Sequence, residues 1–393
     1  MERIAQCARE MLAGRLLPFW QGLRDEKYGG YYGYMDFDLN VDKEAEKGCI
    51  LNSRILWFFS EAAMVLEDQS LVPYARHAYD FLWEKCLDRE MGGMYWAVAY
   101  DGLPLDDTKH TYNQAFAIYA LSAYYRLTGE AEALALAEEL FEVIEDRCTD
   151  EGGYLEAFTR DFRPASNEKL SENGVMAGRT MNTLLHVFEG YAGLYQAKKI
   201  PAVADALRRI LGIYASKVYN PRLHRQEVFF DRDYNTLIDL TSYGHDIESS
   251  WLIDWGCGLL EDAALAEKIA AIDSDLADNV LRTAFNGSLA NECERGMVDT
   301  HRIWWVQAEA LLGFVNEWSK HPERTDCREA AASLWRYITE KLEDRRPGGE
   351  WFWRLDEDGR PDAGKPIVEP WKCPYHNGRM CMELIRRDPD VFV

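Results

Sequence analysis

The sequence has 393 residues, 47% of them hydrophobic, which is ample for a large buried core, and its formal net charge is -23. That acidity excludes nucleic acid and anionic membrane as partners, since both require a positive surface, and leaves a neutral or cationic small molecule as the expected ligand. Nine cysteines, an odd number without a Cys-x-x-Cys pair, read as reduced thiols of a cytoplasmic protein.

Residues 1–14 set Glu2, Arg3, Arg9 and Glu10 among apolar positions, an amphipathic pattern without the basic start and apolar core of a signal peptide. The helix is expected over 2–24, ahead of a turn at Gly29-Gly30-Tyr31-Tyr32. Residues 50–66 are apolar and aromatic almost all round, as in a buried helix, yet no apolar run approaches the ~20 residues that span a bilayer. Residues 71–89 then alternate apolar and charged positions at helical spacing and should face solvent on one side. The same buried-then-amphipathic order returns in 112–127 with 131–146, 181–197 with 201–218, 245–260 with 265–283, and 301–319 with 327–344; residues 375–386 close the series.

Double-glycine turns recur at Gly92-Gly93-Met94-Tyr95, Gly152-Gly153-Tyr154 and Gly348-Gly349-Glu350-Trp351, with weaker turns at Asn220-Pro221 and Asn286-Gly287. A spacing of roughly 60 to 70 residues calls for a repeat architecture. Twelve helices predict one all-α catalytic domain over residues 1–393, an (α/α)6 toroid of six inner and six outer helices whose inner ring walls a central cleft. An open solenoid is the alternative; the even count and the lack of polar capping repeats favour closure.

Near the start of each inner helix stands a residue of unusual chemical character: Arg54, Tyr112, Asn182 with His186, His245 with Glu248, Trp305 with Glu309, and His376. Corresponding positions of a closed ring lie at one end, so all should converge on one mouth of the cleft. Arg54 tells most, because a guanidinium inside an apolar helix is costly unless paired or facing a polar cavity. His245 and Glu248 at i,i+3, and Trp305 and Glu309 at i,i+4, have the spacing to meet on one helix face. Glu248 is thus expected to orient His245, and Glu309 to orient His376 across the ring. Outer-helix His77 and His321 and loop His224 are read as structural, whereas His110 and His301 stay open. His245 with Glu248, or Cys373 with His376, would each supply only two metal ligands, so no metal site is expected. The chain also lacks a Gly-rich phosphate loop and a dinucleotide fingerprint, so no cofactor is expected.

Three segments carry a resemblance: 242–248 (Ser-Tyr-Gly-His-Asp-Ile-Glu), 304–309 (Trp-Trp-Val-Gln-Ala-Glu) and 370–377 (Pro-Trp-Lys-Cys-Pro-Tyr-His-Asn). Together with 110–116 (His-Thr-Tyr-Asn-Gln-Ala-Phe), they resemble bacterial cellobiose 2-epimerases of the wider N-acylglucosamine 2-epimerase superfamily, over about residues 18–386. The resemblance implies reversible conversion of the reducing-end glucose of a β-1,4-disaccharide (cellobiose, lactose) to mannose, without metal or cofactor, by a monomer. It implies that His245 and His376 are the acid/base pair and that Arg54 and His186 surround the intermediate. Tyr112, Asn182, Trp305 and Trp371 match substrate contacts, to which Trp251 is added, with Glu248 and Glu309 as supporting carboxylates.

The chemistry asks for a similar set. Once the sugar ring opens, a base removes the C2 proton, donors hold the resulting enediolate, and a second base returns a proton on the opposite face. An aldose–ketose isomerase would return the proton to C1. A glycoside hydrolase would need two carboxylates flanking the bond and would leave His245 and His376 idle, and a sugar-binding module would dispense with the histidines. Since no complete ligand set is present, activity is expected to survive exhaustive chelation. Loss with EDTA and rescue by one divalent ion would show the opposite.

Overall fold

A computed structural model describes residues 2–171 and 173–393. Met1, which the opening amphipathic pattern includes, lies outside them. Outer helix α1 comprises Ile4–Met11, a wide turn Leu12–Leu16, and Leu17–Gly22. Inner α2 (Cys49–Leu66) precedes outer α3 (Val72–Phe81, extended by Leu82–Cys86). Inner α4 (Thr111–Thr128) and outer α5 (Ala131–Arg147) follow, then inner α6 (Met181–Ala197) and outer α7 (Pro201–Ile213, extended by Tyr214–Val218). Inner α8 (Tyr243–Gly258) and outer α9 (Ala263–Thr283) lead to inner α10 (Trp304–Lys320) and outer α11 (Thr325–Tyr337, extended by Ile338–Leu342). Inner α12 (Tyr375–Arg387) completes the set.

Each inner helix packs on the next, and α12 returns to α2, so the ring is closed and the open solenoid is excluded. Inner and outer helices differ as their residues dictate. Helix α2 buries every residue from Cys49 to Ala63, whereas α5 buries only the stripe Ala133, Leu136, Ala137, Leu140, Phe141 and Ile144. One expectation needs correction here: by length and hydropathy Cys49–Leu66 does qualify as a membrane span, yet 83% of it is buried inside the ring.

The turns join the layers through a repeated clamp. A cation two or three residues ahead of an inner helix reaches back to a carboxylate at the preceding turn. Lys47 Nζ meets Asp25 at 2.6 Å and Lys109 Nζ meets Asp88 at 3.0 Å, while Arg179 pairs with Asp150 and Lys372 with Glu350. The fourth residue of the helix adds a second tie. Asn52 Oδ1 accepts the Tyr31 N–H at 3.0 Å, Gln114 bonds both backbone groups of Met94, and Gln307 both of Leu289. These contacts explain the paired glycines. Gly30 has φ +64°, and a Cβ there would lie 2.7 Å from the Phe81 ring and 2.8 Å from Asn52 Oδ1. Short antiparallel strands then rim the mouth; Leu240–Ser242 pairs with Glu292–Glu294, which pairs with Met297–Asp299.

Removing one partner of a buried ion pair strands the other. Lys47→Met should cost about 3–5 kcal/mol in chemical denaturation, because Asp25 then keeps only backbone donors, from Lys27 and Tyr28. Lys109→Met should cost less, since Arg160 still holds Asp88 at 2.7 and 2.9 Å. Equal losses would count against the clamp.

Candidate active site

Positions two or three and six of the inner helices turn into the ring. Arg54, Tyr112, Asn182, His186, His245, Glu248, Trp305, Trp371 and His376 all line one cavity of about 270 Å³. They come from every inner helix, Trp371 excepted, which precedes α12. Loop residues complete the wall, among them Asn173, Asn291, Asp299 and Trp353. Several polar atoms of residues that line the cavity are buried without a hydrogen-bond partner among the described residues: Asn182 Oδ1, Glu248 Oε2 and Arg54 Nε. Such atoms suit a ligand dense in hydroxyl groups.

Arg54 is buried, as its apolar helix requires. Its Nη2 donates to the Tyr112 hydroxyl at 2.8 Å, its Nη1 to Cys373 Sγ at 3.8 Å, and its guanidinium lies 4.1 Å from the Phe116 ring centroid. Across the cavity, Trp305 touches both expected bases, with ring centroids 4.7 Å from His245 and 5.4 Å from His376.

The two histidines are held differently. His376 Nδ1 lies 2.7 Å from Glu309 Oε1, as expected, and a carboxylate there fixes the proton on Nδ1 and leaves Nε2 as the free base. Burial pushes His376 well below the usual imidazole range, helped by the Arg379 and Arg54 charges. His245 departs from expectation. Its Nδ1 meets Ser242 Oγ at 2.7 Å, while Glu248 turns instead to Arg379 Nη2 at 2.5 Å. The i,i+3 spacing holds, but the stronger cation draws the carboxylate away. Burial, with a smaller contribution from His186, brings His245 down to about 3, so both rings are neutral at neutral pH. Burial and the neighbouring Glu309 raise Glu248 to about 7.

Trp251 is a second correction. It is buried, its Nε1 donates to Glu309 Oε2 at 2.9 Å, and it is absent from the cavity wall. Glu309 likewise lies behind the wall, supporting His376. Of the open histidines, His110 is buried against Trp96, and His301 is half-exposed on Asp299 at 2.5 Å. His77 bonds Gly30 O at 2.9 Å and His224 bonds Asp275, as structural residues would.

Sequence pattern singled out neither Arg379 nor Glu189. Arg379 Nη1 meets Glu189 at 2.5 Å and its Nη2 meets Glu309 at 2.8 Å; Glu189 in turn takes His186 Nδ1 at 2.9 Å. Glu189 stands at i+3 from His186, and Arg379 is, like Arg54, a guanidinium on a buried helix. Ligand atoms of Glu248, Glu309 and His376 lie within 4.8 Å of one another, as a metal site would need. The Arg379 guanidinium already bridges the two carboxylates, so a cation there would meet a positive charge.

Residues 29–377 match the family N-acylglucosamine 2-epimerase (GlcNAc 2-epimerase). The cellobiose 2-epimerase of Eubacterium cellulosolvens is 53% identical, over 97% of this chain and 98% of that protein. Among solved structures, a sugar epimerase from a ruminal bacterium superposes with a TM-score of 0.97 at 47% identity, covering 99% of this chain and 100% of the other. The cellobiose 2-epimerase of Bacillus thermoamylovorans gives 0.95 at 42% identity, covering 98% and 99%.

The two tryptophans should respond oppositely to truncation. Trp371→Ala should weaken disaccharide binding by about 1 kcal/mol or more with little change in melting temperature. Trp251→Ala should destabilise the fold by about 3–5 kcal/mol. Calorimetry of both variants checks the contrast, and unfolding of Trp371→Ala would place that ring in the core.

Proposed function

The chain belongs to the N-acylglucosamine 2-epimerase family, and on that premise we propose that it is a cellobiose 2-epimerase. It converts the reducing-end glucose of cellobiose, and of lactose, reversibly to mannose. The observation that carries this reading is the pair of histidines, His245 and His376, on separate inner helices of one cavity.

The reaction begins with ring opening, which needs a group able to give and take a proton between the C1 hydroxyl and the ring oxygen. Glu248 suits it, with an Oε2 that has no partner among the described residues and a pKa pushed to about 7. One imidazole then removes the C2 proton. The charge passes to an enediolate, to which Arg54 donates hydrogen bonds and His186 lies close. The second imidazole, having first taken up a proton from solvent, returns it to the opposite face and inverts C2, and the first then releases the C2 proton to solvent. Trp305 and Trp371 offer flat apolar faces to the C–H surfaces of the sugar. Nine free cysteines support the cytoplasmic reading.

The test is incubation of cellobiose with the protein in heavy water, followed by NMR. The expected product is the mannose epimer with deuterium at C2; a ketose would mean an isomerase, and free glucose a hydrolase. His245→Asn and His376→Asn should both lose epimerisation. One should still exchange C2 hydrogen in the glucose-type sugar and the other in the mannose-type sugar, unless one histidine also opens the ring and its variant is silent. A variant that exchanges both epimers equally would end the two-base assignment.

A further inference from the structure

Arg379 lies one turn beyond His376 on α12, is 2% exposed, and joins four of the six inner helices. From α12 it reaches Glu189 of α6, Glu248 of α8 and Glu309 of α10. It also lies 4.8 Å from the Trp251 ring centroid and 4.2 Å from that of Tyr375, so two aromatic rings pack against it. Two of its carboxylates each hold an imidazole: Glu189 takes His186 Nδ1 and Glu309 takes His376 Nδ1. A continuous chain of hydrogen bonds thus runs from His186 through Glu189, Arg379 and Glu309 to His376.

We propose that Arg379 is a positioning residue for the C2 chemistry, which by bridging Glu189 and Glu309 fixes the orientation of both rings and keeps His376 Nε2 free toward the cavity. The inference rests on the epimerase reading of the site.

The physical case is one of charge. Three carboxylates share one buried cation, and without it they would take up protons more readily. A protonated Glu309 is no longer a pure acceptor. It can donate to His376 Nδ1, which moves the imidazole proton to Nε2 and removes the base. Arg379 acts on His376 a second way, since a nearby positive charge opposes its protonation. The titratable and charged groups around His376 are Glu309 of α10, Glu248 and His245 of α8, His186 of α6, Arg54 of α2, and Tyr375 with Arg379 on its own helix. Of the two cations, Arg379 contributes more to lowering His376.

The sign follows directly. A base works only unprotonated, so deleting the Arg379 charge should shift the acid limb of the kcat–pH profile upward, by about one unit. Arg379→Lys keeps the charge but cannot span both carboxylates. It should lower kcat about 10-fold or more with little change in KM or in the acid limb. Arg379→Gln should lower kcat and also move the limb. A companion measurement needs no substitution: ¹⁵N NMR of the wild-type protein should show His376 neutral, with its proton on Nδ1, from about pH 5 to 8.

Wild-type kcat in Arg379→Lys would overturn the proposal, as would a wild-type His376 that titrates near its ordinary value or carries its proton on Nε2. If Arg379→Gln or Arg379→Lys fails to fold, the wild-type spectrum decides. Wild-type enzyme that yields no epimer from cellobiose would instead end the functional reading, a result distinct from either.

Discussion

A buried cation ahead of an inner helix decides where that helix begins, and most of the architecture follows from it. Lys47, Lys109, Arg179 and Lys372 each reach back to an acidic side chain of the turn before, three of the four pairs being almost wholly out of solvent. An ion pair in that setting adds little net stability over an apolar contact, but it is unforgiving of slippage. A shift of one residue would strand both charges. The first turns of those helices are therefore registered against the outer layer, and side chains one turn apart, such as Asn182 and His186, point where the ring needs them.

Within that frame the expected bases differ in kind. His376 answers to a carboxylate, which admits one tautomer. His245 answers to Ser242, whose hydroxyl can either give or accept a hydrogen bond. One imidazole is thus locked and the other adaptable. An enzyme that must run in both directions through a symmetric intermediate has use for a partner that can change its protonated nitrogen without breaking a contact.

Much of this was legible in the sequence. The helix bounds of 181–197 agree at both ends, and the other inner helices agree to within three residues, because nearly continuous apolar runs between double-glycine turns leave few alternatives. The wide five-residue turns in α1, α3, α7 and α11 were not legible, since one widened turn hardly disturbs a 3.6-residue pattern. Nor was the choice of partner. Helical spacing says that Glu248 can reach His245, but only the ring brings Arg379 close enough to compete. Trp251 fails for a related reason: its helix faces both the cavity and its underside, and composition does not distinguish a ring that lines a cleft from one that floors it.

All six inner helices also present the same end to the cleft. Each first turn carries the positive pole of its macrodipole, equivalent to roughly half an elementary charge. With the poles arranged around one small, poorly solvated space, their fields add rather than cancel. The protein as a whole is strongly acidic and would repel an anion at its surface. Its backbone nonetheless directs six positive poles toward the cleft, each of which favours negative charge formed near it.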